Sequence, residues 1–210
     1  MLQFLPSTYS TVLEVGCAEG TFSRHLNASE RWGVESDAES ARIAGNALNR
    51  VLRGSYDVVA ADIPDEYFDI VICNDVIEHM RDHDWFFKSI YRKIRKQGFL
   101  IGSIPNVRHI RNLFELLILK DWRYREIGIL DRTHLRFFTE KSLIRSLTES
   151  EFIIEQFNGI NKSRGILPNI LMGTISIASL GYYSDIGYLS LVFVPENPDM
   201  QQPPSCCPFA

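Results

Sequence analysis

A tight turn near the start of the chain carries the first chemistry. Val12-Leu13-Glu14-Val15 is a short apolar run broken by one carboxylate, and Gly16-Cys17-Ala18-Glu19-Gly20 follows. Small residues at Gly16, Ala18 and Gly20 let backbone approach a ligand closely. The spacing is one residue tighter than Gly-x-Gly-x-x-Gly, the turn that cradles a pyrophosphate. Glu14, two residues before the first glycine, would repel such an anion and favour a cationic sulfonium or ammonium. Alanine suits position 18 if that residue keeps negative φ. Cys17 reads as a small residue accommodated in the turn rather than as a nucleophile.

Further polar residues follow successive apolar runs. Glu35, followed by Ser36, lies roughly 20 residues after the first glycine, where an acidic side chain can accept from ribose hydroxyls. Asp62 can accept from an adenine amino group, and the N–H of Ile63 can donate to the ring. Asn74 and Asp75 close the apolar run Phe68–Cys73. Singly, each reads as a cap or a solvated loop residue; together they outline one ligand site.

A second group could act on a substrate. Asp75, Glu78 and His79 stand at i, i+3 and i+4, which puts them on one helix face. That spacing also fits a capping-box-like helix start, with His79 lining a pocket. His134 is the leading candidate for a general base, since its near-neutral pKa suits removal of a hydroxyl proton. A structural histidine tying a loop to the sheet is the competing reading. Asn106, Arg108, His109, Arg132 and Arg136 are candidates for binding the substrate. Between Pro105 and Arg136, seven cations outnumber Glu115, Asp121, Glu126 and Asp131. That excess suggests an anionic acceptor, or else surface ion pairs holding an irregular loop.

In order and spacing, Leu13–Gly20, Gly33-Val34-Glu35, Ala61-Asp62 and Phe68–His79 resemble the motifs of the Rossmann-like, class I S-adenosylmethionine (SAM) methyltransferases. Ala18 departs from them, standing where the middle glycine is usual. The strings Ile104–His109 and Gly128–Thr139 resemble a bacterial subgroup associated with small-molecule and glycan methylation. The resemblance implies SAM as cofactor and S-adenosylhomocysteine as product. Glu14 and the turn backbone would lie near the methionine end, with Asn74 and Asp75 close to its amino-acid group. Glu35 would lie on the ribose, and Asp62-Ile63 on adenine. The Asp75–His79 string also resembles quinone-biosynthesis and small-RNA methyltransferases in which a carboxylate–Glu–His cluster holds a divalent metal; here no metal is expected.

The elements that must position these residues form an α/β fold. Apolar runs alternate with helical patterns, which argues for a parallel sheet with crossover helices. Strands are expected at Thr11–Val15, Trp32–Glu35, Asp57–Ala61, Phe68–Cys73, Phe99–Ile104, Phe152–Phe157 and Tyr188–Val194. Helices are expected over Thr21–Leu26, Ala38–Asn46, a short stretch from Asp75, Trp85–Arg95, Val107–Leu119 and Thr139–Ser150. The resemblance makes this a seven-stranded, mostly parallel sheet with helices on both faces and an antiparallel last strand. One domain spans 1–194, with a substrate-covering insertion at about 105–138 and a lid helix at about 166–183. Residues 195–210 read as a flexible tail.

Composition narrows the function further. A chain of 210 residues can bury a substantial core, and its net charge of −4 argues against bulk binding to nucleic acid. Four cysteines without a CxxC pair fit a reducing cytoplasm and argue against zinc. No signal peptide is expected. Ile166–Tyr183 carries no charge, but Pro168, Asn169 and Gly173 argue against an integral span, leaving a lid or a peripheral membrane contact. The leading expectation is methyl transfer to oxygen, ahead of nitrogen, of a small polar acceptor such as a sugar or glycan precursor. The alternatives are a lipid-linked or quinone-type acceptor, or a catalytically silent SAM-binding regulatory protein. The glycine spacing and Glu14 disfavour a nicotinamide dehydrogenase.

Overall fold

The computed structural model describes residues 1–162 and 183–197. In chain order it contains β1 (Thr11–Val15), β2 (Glu30–Glu35), α1 (Ala38–Ala44), β3 (Arg50–Arg53), α2 (Tyr56–Val59) and β4 (Phe68–Asn74). Then come α3 (His83–Lys93), β5 (Ile94–Pro105), α4 (Ile110–Leu117), α5 (Glu140–Glu149), β6 (Ile153–Lys162) and β7 (Tyr188–Glu196). The seven strands form one sheet in the order β3-β2-β1-β4-β5-β7-β6. The pairs from β3 to β5 are parallel, and β7 runs antiparallel to both β5 and β6. The expected sheet is therefore present. Strand order reverses between β1 and β4, so the carboxyl ends of these two strands flank the crevice where such sheets bind ligands.

The central strands are buried on both faces. Along β4, Val71 and Cys73 pack into one apolar cluster with Leu13, Val15, Phe86, Phe87 and Leu143. Ile70 and Ile72 pack into another, with Val12, Ile101 and Val192. This alternation holds the turn after β1 beside the end of β4.

Several elements differ from expectation. The third strand is Arg50–Arg53, and the stretch expected to be a strand, Asp57–Ala61, lies in α2 and a following 3₁₀ turn. Ser55 occupies the N-cap position of α2, and Tyr56 and Val59 are its buried residues. Thr21–Leu26 is reduced to one 3₁₀ turn, Ser23–His25. The segment after Asp75 is another, Ile77–His79, and Asp75 sits outside it at φ 51°. Asp75, Glu78 and His79 therefore do not share a helix face. α4 begins at Ile110, three residues later than expected, with His109 at its N-cap. The expected Thr139 cap is present: its hydroxyl accepts from Ser142 N–H, while the Ser142 hydroxyl accepts from Thr139 N–H. β7 takes Pro195 and Glu196 into the sheet, so the strand runs past the expected boundary at 194. The lid helix expected at 166–183 lies outside the described residues except for Tyr183, as does the tail beyond Asn197 with its two cysteines.

Glu14, expected near the methionine end of the cofactor, is buried in β1. Its buried side chain faces Ser23, whose hydroxyl donates to it. Burial pushes its pKa from 4.5 up to about 7, against the lowering effect of that hydrogen bond. The folded state thus holds this proton more tightly than the unfolded chain. Stability contributed by the neutral form is complete below pH 4.5 and is lost as pH rises through about 7. Glu14→Gln should flatten this slope, raising stability above pH 7 by up to about 3 kcal/mol relative to wild type. Urea denaturation across pH 5–8 measures it; parallel profiles for the two proteins would show that Glu14 is not titrating in the fold.

Candidate functional site

The turn after β1 takes left-handed backbone three times. Gly16 has φ 72°, Gly20 φ 73° and Ala18 φ 45°. A side chain at Gly16 would collide with Val76, which follows β4, so the close approach of the two strand ends requires glycine there. Ala18 does not keep the negative φ expected of it. That conformation costs an L-residue about 1–2 kcal/mol. The turn is held from three sides. The N–H groups of Gly16 and Cys17 donate to Val34 O at 2.8 and 3.1 Å, and Gly20 N–H donates to Cys17 O at 2.8 Å. Ala18 N–H donates to Glu35 Oε2 at 2.9 Å. Cys17 is buried with Ala44 and Leu48, and its thiol pKa is pushed up to about 12 by burial, then by Glu14 and Glu35. Such a thiol is a poor nucleophile.

Glu35 joins that turn to the next one. Its other oxygen accepts from Asp37 N–H at 2.8 Å and lies 3.3 Å from the Ser36 hydroxyl. A carboxylate has about four lone-pair sites, so one remains for a ligand hydroxyl, and a second when the Ser36 hydroxyl turns away. Gly16, Glu35 and Ser36 line a cavity of about 730 Å³, closed at its other walls by Tyr56, His79 and Trp85. Glu14 does not line it.

At the end of β3 the wall is Gly54, Ser55, Tyr56 and Asp57, not Asp62. Asp62 is exposed in the 3₁₀ turn beyond α2. Ile63 is buried, its N–H donates to Ala60 O, and its carbonyl accepts from Lys93 Nζ at 2.7 Å. Asp62 and Ile63, the two residues expected on adenine, do not line the cavity, whereas Ser55 and Asp57, which follow the third strand, do. At the end of β4, Asp75 accepts from the Ser103 hydroxyl at 3.0 Å. Asn74 Oδ1 is buried without a partner among the described residues.

The histidines expected to do chemistry come together. His79 and His134 rings meet edge to face at 4.8 Å. Glu78, His79 and His134 each place one ligand-type atom within 4.8 Å of the others. His134 Nδ1 lies 3.0 Å from Ile129 O, and His79 Nδ1 lies 3.2 Å from Thr133 O. A carbonyl only accepts, so each Nδ1 carries the proton and each Nε2 is left as the basic atom. His134 Nε2 lies 4.0 Å from Glu78 Oε1, and both side chains are almost wholly buried. Burial pushes the Glu78 pKa up to about 8, and Asp75 adds to the rise. Neither Glu78 oxygen has a hydrogen-bond partner among the described residues. The insertion is anchored to the same residue, since Leu135 and Arg136 N–H groups donate to Glu78 O at 2.7 and 3.0 Å. The spacing grouped Glu78 with Asp75 and His79; the fold groups it with His79 and with His134, far along the chain.

The residues expected to bind substrate are occupied elsewhere. Asn106 is buried, donating to Asp185 O and Tyr188 O and accepting from Arg108 N–H. Arg108 pairs with Asp185 at 3.2 Å and lies over the Tyr183 ring. His109 accepts from Arg111 N–H, and burial lowers its pKa. Arg132 pairs with Glu126 at 2.7 Å, and Arg136 donates to Arg81 O at 2.6 Å. Ion pairs, caps and bonds to backbone carbonyls, several of them to residues outside the insertion, thus account for most of the expected anion-binding set.

Comparison with known proteins places this arrangement. A family model described as a methyltransferase domain matches residues 2–156. The ubiquinone biosynthesis O-methyltransferase of Rickettsia typhi is 23% identical over 156 residues, covering 71% of this chain and 62% of that one. The mitochondrial enzyme of the same name from Schizosaccharomyces pombe is 24% identical over 158 residues, covering 71% and 57%. The chain thus spans less than two thirds of the length of these relatives. Among solved structures, a SAM-dependent methyltransferase from Archaeoglobus fulgidus superposes with a TM-score of 0.62 at 17% identity, covering 90% of this chain and 86% of that one. One from Mesorhizobium loti superposes at 0.63 with 15% identity, covering 93% and 94%.

The fold and the cavity at its switch point are those of the Rossmann-like SAM-dependent methyltransferases. This chain belongs to the methyltransferase domain family, and SAM is its cofactor.

Two variants test the turn. Glu35→Ala should weaken S-adenosylhomocysteine binding at least about tenfold, since two charge-assisted hydrogen bonds and the Ala18 tether are lost together. Calorimetry reads this, and unchanged affinity would remove Glu35 from the site. Ala18→Gly should relieve the left-handed strain and raise stability by up to about 1 kcal/mol in urea denaturation. A loss of stability would contradict the strain.

Proposed function

We propose that this chain transfers the methyl group of SAM to a hydroxyl oxygen. The observation that carries the reading is the buried, unpartnered Glu78 carboxylate beside His134 Nε2, next to a histidine that lines the cofactor cavity. The acceptor oxygen attacks the sulfonium methyl carbon as the sulfur–carbon bond breaks, leaving the neutral thioether S-adenosylhomocysteine. The hydroxyl proton passes to His134 Nε2, and the imidazolium that forms is stabilised by Glu78, whose own proton affinity falls as that charge appears. His79 holds the acceptor between the cavity and His134. Holding the three atoms in line is the larger part of the catalysis.

For the acceptor, the quinone-type or lipid-linked class is favoured over an anionic sugar. The expected anion-binding arginines are engaged in ion pairs or with backbone carbonyls. The named curated relatives are O-methyltransferases of ubiquinone biosynthesis. A reading as a silent SAM-binding protein leaves the buried Glu78–His134 pair without a role.

One observation supports a second reading of the same cluster. Two imidazole nitrogens and a carboxylate with unpartnered buried oxygens fit a divalent cation, which would reverse the Glu78 shift. Glu78, His79 and His134 would hold it, and a cation there would lower the pKa of the acceptor hydroxyl by Lewis acidity.

The test is a labelled-methyl assay over polyprenylated catechols, nucleotide sugars and amines. Transfer to the catechols is expected, and transfer only to amines would contradict the oxygen reading. His134→Ala should lower turnover by about 10²–10⁴-fold while leaving S-adenosylhomocysteine affinity unchanged. Activity lost on chelation, restored by one divalent metal, and equilibrium dialysis showing binding that Glu78→Gln removes, would select the metal-holding form. Full activity in chelator selects the proton-transfer form.

A further inference from the structure

Helix α4 is built inside out. Its buried residue is the polar Asn112, which donates to Val107 O at 2.7 Å. Glu115, which faces α4's own Arg111 and Arg125 of the insertion, is largely covered. The large apolar side chains are turned outward. Phe114 is 50% exposed, Leu117 68%, Ile118 64% and Leu119 59%. Arg125 bonds to Glu115 and so holds the neighbouring loop against the helix, where Tyr124 and Ile127 add to the same exposed surface. Single exposed aliphatics need no explanation, but a contiguous run of them on a helix and its neighbouring loop does.

The rim of this surface identifies what covers it. Lys120 and Arg123 follow the apolar run directly and pair with no carboxylate among the described residues. Between and beside them, Trp122 and Tyr124 pack against Phe137, with ring centroids 5.3 and 6.3 Å away. An apolar helix face bordered by cations and by indole and phenol rings is the composition that settles at a bilayer surface: aliphatics enter the acyl boundary, rings sit at headgroup level, and lysine and arginine reach phosphates. The chain carries a net charge of −4, so the local basic excess of this insertion orients it toward an anionic surface. No helix among the described residues is long and apolar enough to cross a membrane; α4, with eight residues, can only lie along the surface.

We infer that α4 and the following segment through Arg123 dock this protein onto a bilayer carrying anionic headgroups. The same insertion supplies His134 and the carbonyls that orient both histidines. Docking therefore sets the catalytic cluster close to the lipid surface, where a lipid-linked acceptor resides. This last step rests on the acceptor class proposed above; the docking itself rests on the surface alone.

Vesicle co-sedimentation tests it. Wild type should bind phosphatidylcholine vesicles containing phosphatidylglycerol, bind pure phosphatidylcholine more weakly, and lose the difference at high salt. The triple variant Leu117→Ser, Ile118→Ser, Leu119→Ser should partition at least about tenfold less, since three aliphatic side chains no longer enter the bilayer. Lys120→Ala with Arg123→Ala should remove the preference for the anionic lipid. All variants should keep wild-type affinity for S-adenosylhomocysteine, which shows that the fold is intact. No binding of wild type to either vesicle, or binding that survives the triple variant, overturns the inference while leaving the methyltransferase reading in place. A wild-type dimer in light scattering that the triple variant dissociates would instead assign the surface to a second copy of this chain.

Discussion

The site depends on one carboxylate that belongs to two turns at once. Glu35 accepts from Ala18 N–H in the turn after β1 and from Asp37 N–H at the start of α1. These are charge-assisted hydrogen bonds from backbone N–H groups to a carboxylate. They hold Ala18 in left-handed backbone that an alanine does not choose unaided. They also fix the carboxylate itself, so that its remaining lone pairs face the cavity in a set direction. Sheet packing places the two turns next to each other, and Glu35 converts that proximity into a rigid ligand edge.

The Glu78–His79–His134 cluster, of which His79 lines the cavity, is organised by the insertion between β5 and α5. Its backbone carbonyls at Ile129 and Thr133 hold the two imidazoles by Nδ1. Its N–H groups at Leu135 and Arg136 return to the carbonyl of Glu78. The insertion therefore acts first as a scaffold. Its arginines, which in composition suggest an anionic ligand, are largely spent holding that scaffold together, while its aliphatics are free to meet an apolar surface.

Much of the fold was legible because its signals are local. Thr11–Val15 is a β-branched run ended by glycine, Phe68–Asn74 is buried on both faces, and Thr139 caps its helix through a residue three positions on. The third strand was not legible. Arg50–Arg53 is an edge strand with only Val51 and Leu52 to mark it, while the stretch after Ser55 looks like a strand and forms a short helix that buries Tyr56 and Val59. With that exchange the cavity wall beyond β3 is formed by Ser55 and Asp57, and Asp62 and Ile63 do not line it. The Glu78–His134 pair was half legible: both residues attracted attention, but their partnership is set by tertiary packing, which no spacing rule reports. Ala18 shows the limit of reasoning from propensity, since a tertiary hydrogen bond overrides its backbone preference.

The most direct measurement is a structure of the complex with S-adenosylhomocysteine. The account predicts both ribose hydroxyls on the Glu35 carboxylate, adenine against Ser55 and Tyr56, and the sulfur directed toward His79 and His134. A ribose held away from Glu35, or a sulfur directed away from the Glu78–His79–His134 cluster, would contradict it.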